Sequence, residues 1–395
     1  CPARVIGAIA TPGTVKGLYA VHEQLCSMPM QRLVEPAIEL ARHGVKINTF
    51  QAYILDIVKA IYRVYPETHA LYSSNVNVDE LVKEGEILRM SEFADALDCM
   101  AREGESLFYK GEVAQVASRL CADKGGHLTR ADFEQYRVIK RKPLAVDYRQ
   151  STLLTNPAPS SGGVLIAFAL KLLEPIALKD FDFGSAAYLT LLAQVQALTD
   201  KARIDSCLDN VRMHPQDQLL APEMVAEYRA KIKGQPACSR GTTHISVIDR
   251  HGNIAGLTTS NGEGCGLLIP GTGIMLNNML GEQDLNPHGF QQWPTNQRMT
   301  SMMAPSILFT SDHRPIVLGS GGSNRLRTAI LQVLLNKVDF DMSLEHAISS
   351  PRIHCQADHL SIEGGFSSEQ IQQLLIDYPV HKLLTNRNLF FVGFH

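Results

Sequence analysis

The chain has 395 residues, 45% hydrophobic and 19% charged, enough for a large buried core and long enough for two or three domains. Its 37 basic and 40 acidic residues give a net charge of −3, which gives no reason to expect a nucleic acid or an anionic membrane as partner. No run reaches the roughly 18 apolar residues of a membrane span, and the eight cysteines include no CxxC pair, so a transmembrane helix, a zinc site and a disulfide framework are all unexpected.

In chain order, residues 33–44 (LVEPAIELARHG) predict a helix with Pro36 near its first turn and Gly44 as its stop. Residues 112–121 put Val113, Val116, Ala117 and Leu120 on one helical face, and Thr129 with Asp132 marks the cap of another short helix. Residues 144–155 fit two short strands, and 164–173 an apolar helix introduced by Ser160-Ser161-Gly162-Gly163. Two β-like runs, 242–249 and 254–260, then flank the turn signal Arg250-His251-Gly252-Asn253. Paired as a hairpin, they set Thr242 across from residues 260–261. Even-numbered side chains share a face, so the Thr242 and Ser260 hydroxyls meet beside Gly262, Gly264 and Gly266. Ser306–Phe309 and Pro315–Leu318 form another strand pair, residues 326–336 a helix, and Ser343 caps a further one. This order suits a layered α/β fold with largely antiparallel sheets. Hydroxyls beside flexible backbone suggest acyl transfer; the plainer alternative is a Thr-rich strand pair.

Six motifs, in the same order, resemble the γ-glutamyltransferase (γ-glutamyl transpeptidase) family over nearly the whole chain. They are Thr11-Pro12-Gly13-Thr14-Val15-Lys16-Gly17-Leu18, residues 33–44, residues 156–163, Thr242 to Val247 with Asp249 and Gly252-Asn253, residues 270–278, and Thr300-Ser301-Met302 with Gly319-Ser320-Gly321-Gly322-Ser323-Asn324-Arg325. The resemblance implies a four-layer αββα N-terminal-nucleophile (Ntn) hydrolase sandwich. It implies a precursor that cuts itself between Gly241 and Thr242, into a large-subunit-like portion, 1–241, and a small-subunit-like portion, 242–395, that stay together as one structural unit. Family members carry more chain before the first motif and after the last, so the expectation is a chain truncated at both ends.

The implied activity is transfer or hydrolysis of the γ-glutamyl group of glutathione or a related compound. Thr242 is the implied nucleophile, and its freed α-amine, with a reference pKa of about 7.7–8.0, the base. Ser260 stands where the family has a Thr that hydrogen-bonds the nucleophile. Gly262 falls on a family Asn or Ser, a loss for which Asn261 or Glu263 is the candidate compensation. Ungapped counting puts the family's oxyanion-binding Gly-Gly pair on Gly322-Ser323, with Gly321-Gly322 the alternative. The same loop before a helix also fits a phosphate site, but it lacks the GxxxxGK[ST] pattern.

Thr300 and Ser301 match the pair that binds the donor carboxylate, while Met279 and Glu282 replace the family's Gln or Glu and Asp on the amine side. The segment 282–298, which contains Trp293, is shorter than the lid-bearing loop of many relatives, and Trp293 is expected to pack. His354-Cys355 with His359 is expected to be loop and strand, not a metal site. No metal or organic cofactor is called for, and the compartment is unassigned. The partners implied are a small γ-glutamyl donor, water or an amine acceptor, and the two cleaved portions for each other. The rival expectations are an Ntn acylase or amidase with another donor, and an inactive truncated remnant.

Overall fold

A computed structural model describes residues 6–206, 208, 215–230, 235–236, 242–290, 292–357, 359–378 and 381–384. They form two compact units, one made of the chain up to Lys140 with Asn261–Glu282, the other of Arg141–Ser260 with the chain from Gln283 on. The 241/242 cleavage position implied by the resemblance falls partly outside the described residues, since Gly241 is not among them.

The first unit is mainly helical. The helix Thr49–Tyr62 starts from a capping box, in which Asn48 accepts from the Gln51 N–H and the Gln51 side chain returns to the Asn48 N–H. Helix Glu112–Asp123 and the Thr129–Asp132 cap are as expected. Ala117, Cys121, Tyr109 and Phe133 pack in one buried cluster with Cys265, Leu267, Ile269 and Leu276 from the 261–282 segment. Asn277 fastens that segment by a two-way bond with the Ala10 backbone, at 3.0 and 2.8 Å. The predicted helix at 33–44 needs correcting at its start: it spans Met30–His43, so Pro36 is interior. Pro36 has no N–H to give the Arg32 carbonyl one turn back, and both residues are exposed. Gly44 does stop the helix, at φ +97°.

The second unit holds the larger core. Strands β1 (Leu144–Tyr148) and β2 (Ser151–Thr155) lead into helix α1 (Ser161–Leu173), in which every residue except Lys171 is buried. A helix apolar all round belongs in the interior, and α1 packs there with α2 (Ala186–Asp205). Next comes the predicted hairpin, β3 (Thr243–Ile248) and β4 (Ile254–Thr259), with Thr243 opposite Thr259. The Asp249 carboxylate closes its turn by accepting from the N–H groups of His251 and Asn253 and from the Asn253 side chain. Strands β5 (Ser306–Phe309) and β6 (Pro315–Leu318) join β2 and β1 in an antiparallel sheet ordered β6-β5-β2-β1. Helix α3 (Arg325–Val338) follows, and β7 (Ile353–Ala357), β8 (His359–Ile362) and β9 (His381–Leu383) belong to a second sheet, β9 parallel to β8. Helices with largely antiparallel sheets are the α/β class expected. Among the described residues no helix is long and apolar enough to cross a membrane.

Polar side chains tie α2 and α3 together inside this core. Arg327 of α3 pairs with Asp200 of α2 at 2.5 Å and also donates to Thr199. His354 on β7 is fully buried, within hydrogen-bonding distance of Thr328 (2.8 Å) and Gln356 (3.3 Å). Desolvation, with the positive charges of Arg327 and Arg325, pushes its pKa well below the usual histidine value. An unfolded His354 takes a proton near pH 6.5, which the folded form resists. Its contribution is therefore complete above about pH 6.5 and falls as pH drops towards the folded pKa, by up to ~1.4 kcal/mol per pH unit. Denaturant titrations at pH 7.5 and 5.5 should show a smaller acid loss in His354→Gln than in wild type. Equal losses would mean that His354 is not the titrating group.

Candidate active site

Thr242 sits immediately before β3, half-buried, and Ser260 immediately after β4. The β3–β4 register brings their hydroxyls together, Thr242 Oγ1 donating to Ser260 Oγ at 3.4 Å. The inward, even-numbered face of the hairpin continues with His244, whose ring lies 2.8 Å from both Thr258 Oγ1 and Ser246 Oγ. Gly319 lies against that ring: a Cβ there would come within 2.2 Å of His244 Nδ1. The outward face leaves Ile245 and Val247 each 50% exposed.

The glycine loop after β6 is in backbone contact with Thr242. A Cβ on Gly321 would lie 2.1 Å from the Thr242 carbonyl oxygen, so no side chain fits between them. Gly322 (φ +114°) and Ser323 (φ +55°) then turn the chain through the left-handed region, where only glycine is unstrained. Among the described residues the N–H groups of Gly322 and Ser323 have no acceptor, although both residues are buried. Two adjacent buried donors without acceptors suit a negative oxygen, and their loop directly touches the residue that carries the candidate nucleophile.

Thr300 and Ser301 differ in what their hydroxyls have left to give. Thr300 is buried and donates to the Pro159 carbonyl at 2.7 Å, with Ser161 Oγ a further neighbour at 3.2 Å. Its single proton is used inside the protein. Ser301 is half-buried and accepts from the Met303 N–H at 3.0 Å; among the described residues its own proton has no acceptor.

Asn261 and Glu282 belong to the other unit. Asn261 is exposed, and its carbonyl accepts from the Gly264 and Asn278 N–H groups. Glu282 is half-buried and fills the space over Gly262 (φ +62°). A Cβ there would meet Asn278 Oδ1 at 2.0 Å and Glu282 Oε1 at 2.7 Å. Glycine at 262 thus makes room for the longer acid at 282. Glu263 donates its N–H to Asn278 Oδ1 at 2.9 Å. Trp293 donates its indole N–H to Asn286 at 3.1 Å. His354 and Cys355 lie on β7 and His359 on β8. Sequence reasoning missed Asp284, which accepts from Ser323 and Asn324; a lone Asp in a polar run gives no signal of it.

A family model described as gamma-glutamyltranspeptidase matches residues 2–389. The glutathione hydrolase proenzyme of Escherichia coli (strain K12) is 30% identical over 93% of this chain and 68% of its own length. The acylase ACY 1 proenzyme of Pseudomonas sp. (strain V22) is 28% identical over 94% and 69%. Among solved structures, cephalosporin acylase from Bacillus halodurans matches with a TM-score of 0.80 at 22% identity, covering 99% of this chain and 74% of that one. The chain thus spans about two thirds of the length of these relatives.

Proposed function

Because the chain belongs to the γ-glutamyltranspeptidase family, we propose that it is an Ntn enzyme cleaving the γ-glutamyl amide of glutathione or a related compound with Thr242 as nucleophile. In the continuous chain the Thr242 nitrogen is a peptide amide without basicity. Hydrolysis of the 241–242 bond turns it into an amine with a pKa near 8, able to take the hydroxyl proton directly or through a water. Thr242 Oγ1, oriented by Ser260, then adds to the γ-carbonyl, and the developing oxyanion rests on the N–H groups of Gly322 and Ser323. The amine leaves with the proton, and water or an acceptor amine resolves the acyl-enzyme.

One observation carries this reading: a threonine hydroxyl facing a serine hydroxyl, backed by a loop with two adjacent N–H groups that have no acceptor among the described residues. Ser301 is the proposed donor to the substrate carboxylate, with Thr300 bracing the turn beside it. By resemblance, Glu282 is the proposed contact for the donor amine.

Similarity to acylases favours a second reading, the same machinery on another amide. Release of nitroaniline from γ-glutamyl and from simple acyl anilides separates the two, since a preference for plain acyl donors would overturn γ-glutamyl specificity. Ser301→Ala should raise KM for the γ-glutamyl donor about tenfold or more with little change in kcat, the loss of one charge-assisted hydrogen bond of ~1.5–3 kcal/mol. An unchanged KM would remove Ser301 from the site.

A further inference from the structure

We propose that Asp284 is a positioning residue that holds Ser323 in its left-handed conformation and thereby aims the two loop N–H groups. The inference rests on the reading of that loop given above. Asp284 is 6% exposed, and one carboxylate oxygen, Oδ2, accepts both from the Ser323 hydroxyl and from the Asn324 N–H, the latter at 3.2 Å. The two donors flank the Ser323 carbonyl, so one acceptor fixes the residue on both sides. Ser323 needs such a tie because φ +55° crowds its Cβ against its own backbone, a conformation that glycine takes freely.

Asp284 is itself anchored. Its carbonyl accepts from the Arg203 guanidinium of α2 at 2.7 Å, and one turn earlier on α2 Asp200 pairs with Arg327 of α3, the helix that the loop leads into. Loop, brace and following helix are thus fastened to the same buried helix. On the ungapped count, one of the two placements of the family's Gly-Gly pair given above, the family has glycine where this chain has Ser323. A serine there requires an acceptor to hold it, and Asp284 is that acceptor.

The test measures kcat and KM for a γ-glutamyl anilide, and melting temperatures, in wild type, Asp284→Ala, Ser323→Ala and the double variant. Losing the aim of one oxyanion donor lowers kcat about 10²-fold, so Asp284→Ala is expected to fall by that order with KM within about twofold. Ser323→Ala should fall similarly, and the double variant should lose little more than either single, since both remove one tie. Asp284→Ala combined with Ser323→Gly should regain about tenfold in kcat, because glycine adopts the turn untied. A merely structural role predicts kcat and KM changing together and no recovery with glycine, and either result overturns the proposal. So does Asp284→Ala with wild-type kcat. If the wild type turns over no anilide, the functional reading fails, and the melting cycle still decides the tie: coupled shifts uphold it and additive shifts overturn it.

Discussion

Thr242→Ala is expected to leave a single uncut chain of 43.5 kDa, whereas the wild type yields two pieces, the smaller beginning at Thr242. The variant should also show no turnover above a background about 10⁴-fold or more below wild type, the scale of loss when a nucleophile is removed. Neighbouring hydroxyls do not substitute. Thr243 is next in the strand and therefore points to the opposite face, where it is exposed. Ser260 has a hydroxyl on the correct face, but its nitrogen stays an amide, so no base is generated beside it. Thr242→Ser keeps both hydroxyl and amine and should still cut and turn over, more slowly. Intact mass and N-terminal sequencing read the result. A fragment starting at residue 242 in the alanine variant would show that Thr242 does not perform the cut.

The parts of this arrangement legible in the sequence are those that local chemistry dictates. Alternation from Thr242 to Ser260, with Asp249, Gly252 and Asn253 at the turn, fixed the hairpin register and hence the pairing of the two hydroxyls. Gly44, the Thr129–Asp132 cap and the apolar run from Val164 were likewise visible, because a left-handed stop, an orphan N–H and a buried face are local requirements.

What escaped depends on partners distant in sequence. The bond between Asp284 and Ser323 joins residues 39 positions apart. The Thr300 hydroxyl is used by Pro159, 141 positions away, so a motif that promises a substrate contact also serves as a brace. The return of residues 261–282 to the first unit leaves no compositional mark, since its apolar residues alternate like those of any loop-and-strand segment. The interior Pro36 was misplaced because a proline normally marks a first turn, and only its exposed surroundings permit it deeper in a helix.

Gly321→Ala should slow the reaction about 10²-fold, although it removes no functional group. The added methyl would lie 2.1 Å from the Thr242 carbonyl oxygen and 3.1 Å from its carbonyl carbon. Both are backbone atoms, so no side-chain rotation relieves the clash, and loop and strand must separate by about an ångström. Misplacement on that scale costs ~10²-fold in rate, and overpacking costs ~1–3 kcal/mol of stability. Gly319→Ala supplies the contrast. Its methyl would meet the His244 ring at 2.2 Å, a side chain and not the backbone of Thr242. Both variants should therefore melt earlier, but only Gly321→Ala should slow self-cleavage and anilide release about 10²-fold. Equal rate losses in the two would make the effect one of general packing. A fast Gly321→Ala would mean that the backbone contact between the glycine loop and Thr242 does not set the geometry of the reaction.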